Sequence, residues 1–389
     1  MFGSTTRRGP SSRGVRGIVA ASFALLLIGL AACGSGSSGG DGSSSRKPDD
    51  AAVAAAQKRI DPYLHPSDKI PVDVPLTQKP KEGLRVALVR YNNQPSAVYD
   101  EFYKEASAAL NWEFNVYAAE ATDPQAIPNG VLRAVSERVD AIVVQGSTVA
   151  AIGPSLAAAK DAKIPVFLGA GPSTDVPGGA ANGLYGNVMS QNAITAQLRM
   201  ADQMIVDSGG TGNALFVNVP DFPTLAPLND AIKKHIADNC SGCKLETLNI
   251  SAGDLGGDVA STVVASLRQN PDAGYVLGSY ANVVRGLPQA LKAAGLDNIK
   301  VYVSQPTEPS IVEQVEKGDY AATILLPSGS FPWAVFDQIA RVSLGMDPLQ
   351  AKYADLGMAL YTTKDFPKGT RSWDPADYQQ QYKTLWQLS

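Results

Sequence analysis

A chain of 389 residues, 44% of them hydrophobic, is long enough for two ordinary domains plus extensions. Its 33 basic and 37 acidic residues give a formal charge of −4, and no Lys/Arg block interleaves with aromatics, which argues against nucleic-acid binding. Three Cys and two His are too few for a closed structural zinc site unless carboxylates join them, so neither a metal nor a cofactor is expected.

Arg7, Arg8, Arg13 and Arg16 precede an uninterrupted small and apolar run over 18–30, the pattern of a signal peptide. The run is shorter than the roughly 18–20 residues that span a bilayer. It closes on Leu30-Ala31-Ala32-Cys33, which resembles the bacterial lipoprotein lipobox and implies cleavage before Cys33 and acylation of that residue. An ordinary secretory signal with a chance Cys is the alternative. Arg7-Arg8 hints at twin-arginine export, although Gly9-Pro10 follows where that signal wants apolar residues. The Gly/Ser stretch over 34–45 cannot bury enough apolar surface to offset its ordering entropy and reads as a flexible tether. An extracytoplasmic protein, lipid-anchored to the outer face of the cell membrane, is the expectation.

Good helix formers from Asp49 to Ile60 predict a helix ended by Pro62. Residues 61–83, spaced by Pro62, Pro66, Pro71, Pro75 and Pro80, read as a mostly extended arm. From Leu84 the pattern becomes short apolar runs alternating with amphipathic stretches, the signature of strand-helix repetition and a parallel sheet. Strands are expected at 84–89, 114–118, 141–144 and 165–168 in one lobe. The alternation restarts after Gly186, with strands at 214–217, 245–250, 274–277, 301–303 and 321–326 and helices between them, the last over 332–344. Two doubly wound lobes are the simplest arrangement, and ligands bind such sheets outside the carboxyl ends of their strands. Cys240-Ser241-Gly242-Cys243 reads as a local disulfide in an oxidising compartment; a redox-active pair, or a metal pair with His235, are the other readings.

Several local patterns resemble the type I periplasmic binding proteins, particularly the ribose-binding-like branch that shares its fold with the effector domain of the lac repressor family. Residues 138–144 followed by 162–166 resemble that family's third and fourth strands, and 271–277 the strand before its interlobe loop. Residues 291–295 with 299–303 resemble the next helix and strand, and 317–324 the strand leading into a hinge crossing. The resemblance covers roughly 84–361 and implies an α/β protein of two doubly wound parallel-sheet lobes, joined by a three-crossing hinge, with solute trapped between them. The corresponding division is a signal peptide over 1–32, a lipidated tether and arm over 33–83, a first lobe of 84–186 and 329–357, and a second of 187–328 and 358–389.

The departures are informative too. Sugar binders of this family carry charged or amide groups where Gln145-Gly146-Ser147, Leu225, Ala226, Leu228, Ser279-Tyr280-Ala281 and Gln305-Pro306 stand here. Charged groups give paired hydrogen bonds to vicinal hydroxyls, so their loss points to an aromatic or less polar solute. Candidate ligand-binding residues are Tyr91, Asn92, Asn93, Gln145, Gly146 and Ala170 of the first lobe, with Gly171 beside them. Phe222, Tyr280 and Gln305 come from the second, and Phe331, followed by Trp333, lies just past a crossing. Asn offers a donor and an acceptor on one flat group and Tyr a face and a hydroxyl. Each position also has a plainer reading, as a turn or as lobe packing.

These features point to a monomeric solute receptor that hands its ligand to the permease of an ATP-driven importer. A receptor of the same fold that reports to a membrane sensor is the alternative. Catalysis is not expected: His65 lies in the arm and His235 in a helix, and there is no nucleophile elbow, phosphate loop or metal-ligand spacing.

Overall fold

Runs such as Val86–Val89 and Ile142–Val144 are apolar at every position, so their strands need cover on both faces, and the fold supplies it. The computed structural model describes residues 48–92, 94–120, 123–305, 310–370 and 372–388. The expected signal peptide, Cys33 and Gly/Ser tether lie outside the described residues.

Helix α1 (Asp50–Leu64) opens on Asp49, whose side chain accepts from the Ala52 N–H. It runs through Pro62, two residues past the expected stop. A proline near a helix end removes only one backbone bond.

The first lobe follows as β1 (Arg85–Tyr91), α2 (Gln94–Ala97), α3 (Asp100–Ala109), β2 (Glu113–Ala119), α4 (Ala126–Ser136), β3 (Ala141–Gln145), α5 (Val149–Asp161), β4 (Val166–Gly169) and β5 (Leu184–Val188). Its strands are parallel in the order β2-β1-β3-β4-β5. Successive β1 residues enter opposite cores: Val86 and Leu88 join one cluster, Ala87 and Val89 the other.

The second lobe is α6 (Asn192–Asp207), β6 (Asn213–Asn218), α7 (Leu228–Asn239), β7 (Lys244–Asn249), α8 (Val259–Gln269), β8 (Tyr275–Gly278), α9 (Leu287–Ala293), β9 (Lys300–Val303), α10 (Ser310–Lys317) and β10 (Ala322–Leu325). The chain then returns to the first lobe as α11 (Ser330–Ser343) and α12 (Gln350–Tyr353), adds β11 (Ala359–Tyr361) to the second sheet, and ends in α13 (Tyr378–Leu385). The second sheet reads β11-β10-β9-β8-β6-β7, parallel except for β11. Cys240 and Cys243 form a disulfide at the end of α7.

The lobe boundaries differ from the sequence reading at both ends of the chain. The segment after residue 61 is not a free arm: Ile70, Val72 and Leu76 are buried in the first lobe, while α1 buries Ala52, Ala56, Ile60 and Leu64 in the second. Residues 358–389 also divide. The β11 strand belongs to the second lobe, whereas Tyr382, Leu385 and Trp386 pack in the first, with Trp386 stacked on Trp333 at 5.2 Å. Strand β5 keeps the first lobe going to residue 188. Three crossings therefore lie at 189–191, 326–329 and 354–358, and the described residues make two more, after α1 and before α13.

Candidate functional site

The carboxyl ends of the two sheets face a cleft that encloses about 200 Å3. Gly146, Ala170, Gly171 and Pro172 line its first-lobe side. Ile194, Thr224, Pro227 and Gln305 line the second, and Met189, Ser190 and Leu326 come from the crossings. Each wall follows from a strand end. Gly146 follows β3 directly at φ +68°, a conformation that favours glycine. A Cβ on Gly171 would stand 2.8 Å from Leu168 Cδ1 and 3.0 Å from Asn187 Oδ1, so this wall admits no side chain without displacement. The loop after β4 is held by Asn187, whose Nδ2 donates to the carbonyls of Pro172 and Asp175, each at 3.0 Å. Ala170 and Met189, both lining the cleft, hold φ of +54° and +62° without being glycine. Such backbone strain concentrates at ligand sites and hinges.

On the second lobe the Gln305 carbonyl accepts from the Ala281 N–H at 3.1 Å, and its Nε2 has no hydrogen-bond partner among the described residues. Tyr99, from the turn ahead of α3, also lines the cleft and meets the edge of Phe331 at 5.1 Å. Burial, with the charge of Asp374 second, pushes its phenol up to about 12, so it stays a neutral donor at physiological pH. Among the described residues, no Asp, Glu, Lys, Arg or His lines this cleft. At the end of β1, Arg90 is buried and consumed: its Nε donates to Asp100 Oδ1 at 2.7 Å and its Nη1 to the Tyr91 carbonyl at 2.9 Å.

Of the residues singled out in the sequence, Gly146, Ala170, Gly171 and Gln305 meet in the cleft wall. Gln145 lies beneath it, 4% exposed, donating its Nε2 to the Ser96 carbonyl at 3.2 Å. Phe331 is buried behind Tyr99 and Gly169, and Trp333 lies deeper in the first lobe. Tyr91 packs on the first-lobe core, and the exposed Asn92 donates its Nδ2 to Glu120 Oε1 at 3.0 Å. Phe222 and Tyr280 pair edge to face at 5.9 Å on the second-lobe core and do not line this cleft. Asn93 lies outside the described residues. Tyr99, Met189, Asn192, Ile194, Thr224 and Leu326 were not singled out. They sit on helix starts and crossings, which come together only in the tertiary fold.

Two doubly wound lobes with a cleft between facing strand ends are the arrangement of a protein that binds a small molecule between its lobes. A family model described as a periplasmic binding protein domain matches residues 86–345. The chain belongs to that family, and its members bind solutes without transforming them. Similar solved structures include an ABC sugar transporter subunit from Rhodobacter sphaeroides 2.4.1 (20% identity, 73% of this chain and 99% of that one, TM-score 0.61). A 5-methylthioribose transporter solute-binding protein from Thermotoga lettingae TMO is also similar (19%, 81% and 99%, TM-score 0.61). So is a periplasmic ribose ABC transporter protein from Conexibacter woesei DSM 14684 (19%, 70% and 90%, TM-score 0.59). No curated protein sequence matches significantly.

Proposed function

We propose that the chain is the extracytoplasmic solute-binding lipoprotein of an ABC importer, anchored through Cys33, and that it closes over a neutral, partly apolar organic solute. The observation that carries the ligand class is the absence of charged side chains from the cleft lining among the described residues. A charged solute buried there would find no counter-ion among the described lining residues, and burying an unpaired charge is far more costly than burying a hydrogen-bonded polar group. Gln305, Thr224 and Ser190 supply amide and hydroxyl groups for a polar edge, while Tyr99, Met189, Ile194 and Leu326 supply an apolar face. Among the similar structures, a solute-binding protein from Actinobacillus succinogenes 130z holds D-allose and the Thermotoga lettingae protein holds 5-methylthioribose, a molecule with one polar and one apolar side. The anchoring reading rests on the lipobox-like 30–33 segment and the Gly/Ser stretch behind it.

A thermal-shift screen of residues 46–389, which form one compact unit, tests the reading. Sugars, deoxy and methylthio sugars, aromatic alcohols and matched charged analogues make up the panel. A ligand that binds only the native state raises the midpoint. The expected hits are neutral. Midpoints raised only by carboxylates or amines would overturn the ligand class.

A further inference from the structure

The crossing that follows α1 lies outside the family match of 86–345 and is fixed on both sides by hydrogen bonds and buried apolar side chains. On the second lobe, Arg59 donates Nε and Nη2 to Asp202 Oδ1 at 2.9 and 2.7 Å, and Asp202 is fully buried. His235 Nε2 lies 2.7 Å from the same oxygen, and Arg199 Nη1 donates to the Arg59 carbonyl at 2.9 Å. On the first lobe the chain is held again from residue 68. Gln381 Nε2 donates to the Asp68 carbonyl at 2.7 Å, and the Ile70 N–H donates to Gln381 Oε1 at 3.2 Å. Further on, the Leu76 N–H donates to the Leu385 carbonyl at 2.8 Å, and Arg341 Nη2 to the Val74 carbonyl at 2.6 Å.

Only His65, Pro66 and Ser67 bridge the two anchorages. The four steps from Leu64 to Asp68 span about 13–14 Å at full extension, and Pro66 removes part of the remaining freedom. We propose that residues 65–67 are a strap that narrows the range of angles the two lobes can adopt, and so regulates the opening of the solute cleft. The proposal rests on the reading that the lobes move relative to each other.

Inter-lobe distances measured by pulsed electron paramagnetic resonance test it without any ligand. Spin labels at Asp161→Cys on α5 and Arg268→Cys on α8, both exposed, report lobe separation in a Cys33→Ser background. Inserting six Gly/Ser residues between Pro66 and Ser67 adds up to about 20 Å of reach and leaves both anchorages intact. The distance distribution should broaden and gain population away from the parent's maximum. Gln381→Ala, which removes the side-chain hydrogen bonds to Asp68 and Ile70 without lengthening the chain, should broaden it in the same sense by less, and it decides the matter if the insertion variant does not fold. Distributions as narrow as the parent's in a cooperatively folded variant overturn the strap. The thermal-shift screen is independent of that outcome, so the strap can fail while the solute-binding reading stands.

Discussion

Asn192 holds the backbone of Leu356 with both halves of its amide: Nδ2 donates to the Leu356 carbonyl at 2.8 Å, and the Leu356 N–H donates to Oδ1 at 2.9 Å. Beside this pair the Met189 N–H donates to Tyr353 O at 2.8 Å and the Gln191 N–H to Ala354 O at 2.7 Å. The first and third crossings thus form one hydrogen-bonded ribbon. Asn192 is 3% exposed and lines the cleft, so the same residue links two crossings and forms part of the cleft wall. Replacing it with Leu orphans a buried donor and a buried acceptor, at roughly 1–3 kcal/mol for each. Denaturant unfolding should show that loss.

A buried ion pair ties the chain ends to the first lobe. Arg341 and Asp337 are both fully buried, with Nε to Oδ2 at 2.5 Å. Asp337 also accepts from Tyr353 Oη at 2.6 Å and Trp386 Nε1 at 2.8 Å. Removing one partner of a buried pair typically costs about 3–5 kcal/mol. Asp337→Ala is therefore expected to lower the melting midpoint more than any substitution on the exposed face of α13, a comparison calorimetry makes directly.

Asp202 should give stability a pH dependence. Burial acts to raise its pKa, but hydrogen bonds from His235 and Arg59 and the nearby charge of Arg199 outweigh it and hold the carboxyl below its ordinary value. A depressed carboxylate stabilises the fold above its unfolded pKa of about 4 and loses that contribution as pH falls through the folded value. The midpoint difference between the parent and Asp202→Asn should be largest above about pH 5 and shrink toward pH 3.

The Cys240–Cys243 bridge closes a minimal loop, and loop-closure entropy for four residues is worth at most about 2 kcal/mol. Cys240→Ser with Cys243→Ser should lower stability by no more than that. Solute affinity should stay unchanged, since neither residue lines the cleft.

The core of each lobe was legible because all-apolar strands and strongly periodic helices carry their own signal. The strands expected at 214–217 and 301–303 form as β6 (Asn213–Asn218) and β9 (Lys300–Val303). What escaped was the attachment of the chain ends. The buried face of α1 includes Ala52 and Ala56, too small to stand out as a core stripe, and α13 reads Tyr-Gln-Gln-Gln-Tyr-Lys-Thr-Leu, polar in appearance although Tyr382 is fully buried. Strand β5 was missed because Gly186 interrupts it. That glycine answers a distant residue, since a Cβ there would lie 2.0 Å from Gln338 Oε1. The site divides along the same line. Strand-end residues such as Gly146, Ala170 and Gln305 follow from the doubly wound pattern, whereas Tyr99, Met189 and Asn192 depend on how helix starts and crossings meet.

Calorimetric titration of neutral solutes beside their charged analogues tests most directly whether the cleft takes an uncharged solute between its lobes. One neutral molecule binding at one site per chain, weakened at least tenfold by Gln305→Ala and left unbound once a carboxylate or amine is added, is the predicted result. A tenfold loss corresponds to about 1.4 kcal/mol, within the range for one buried hydrogen bond. A charged analogue that binds more tightly than its neutral counterpart would contradict the account.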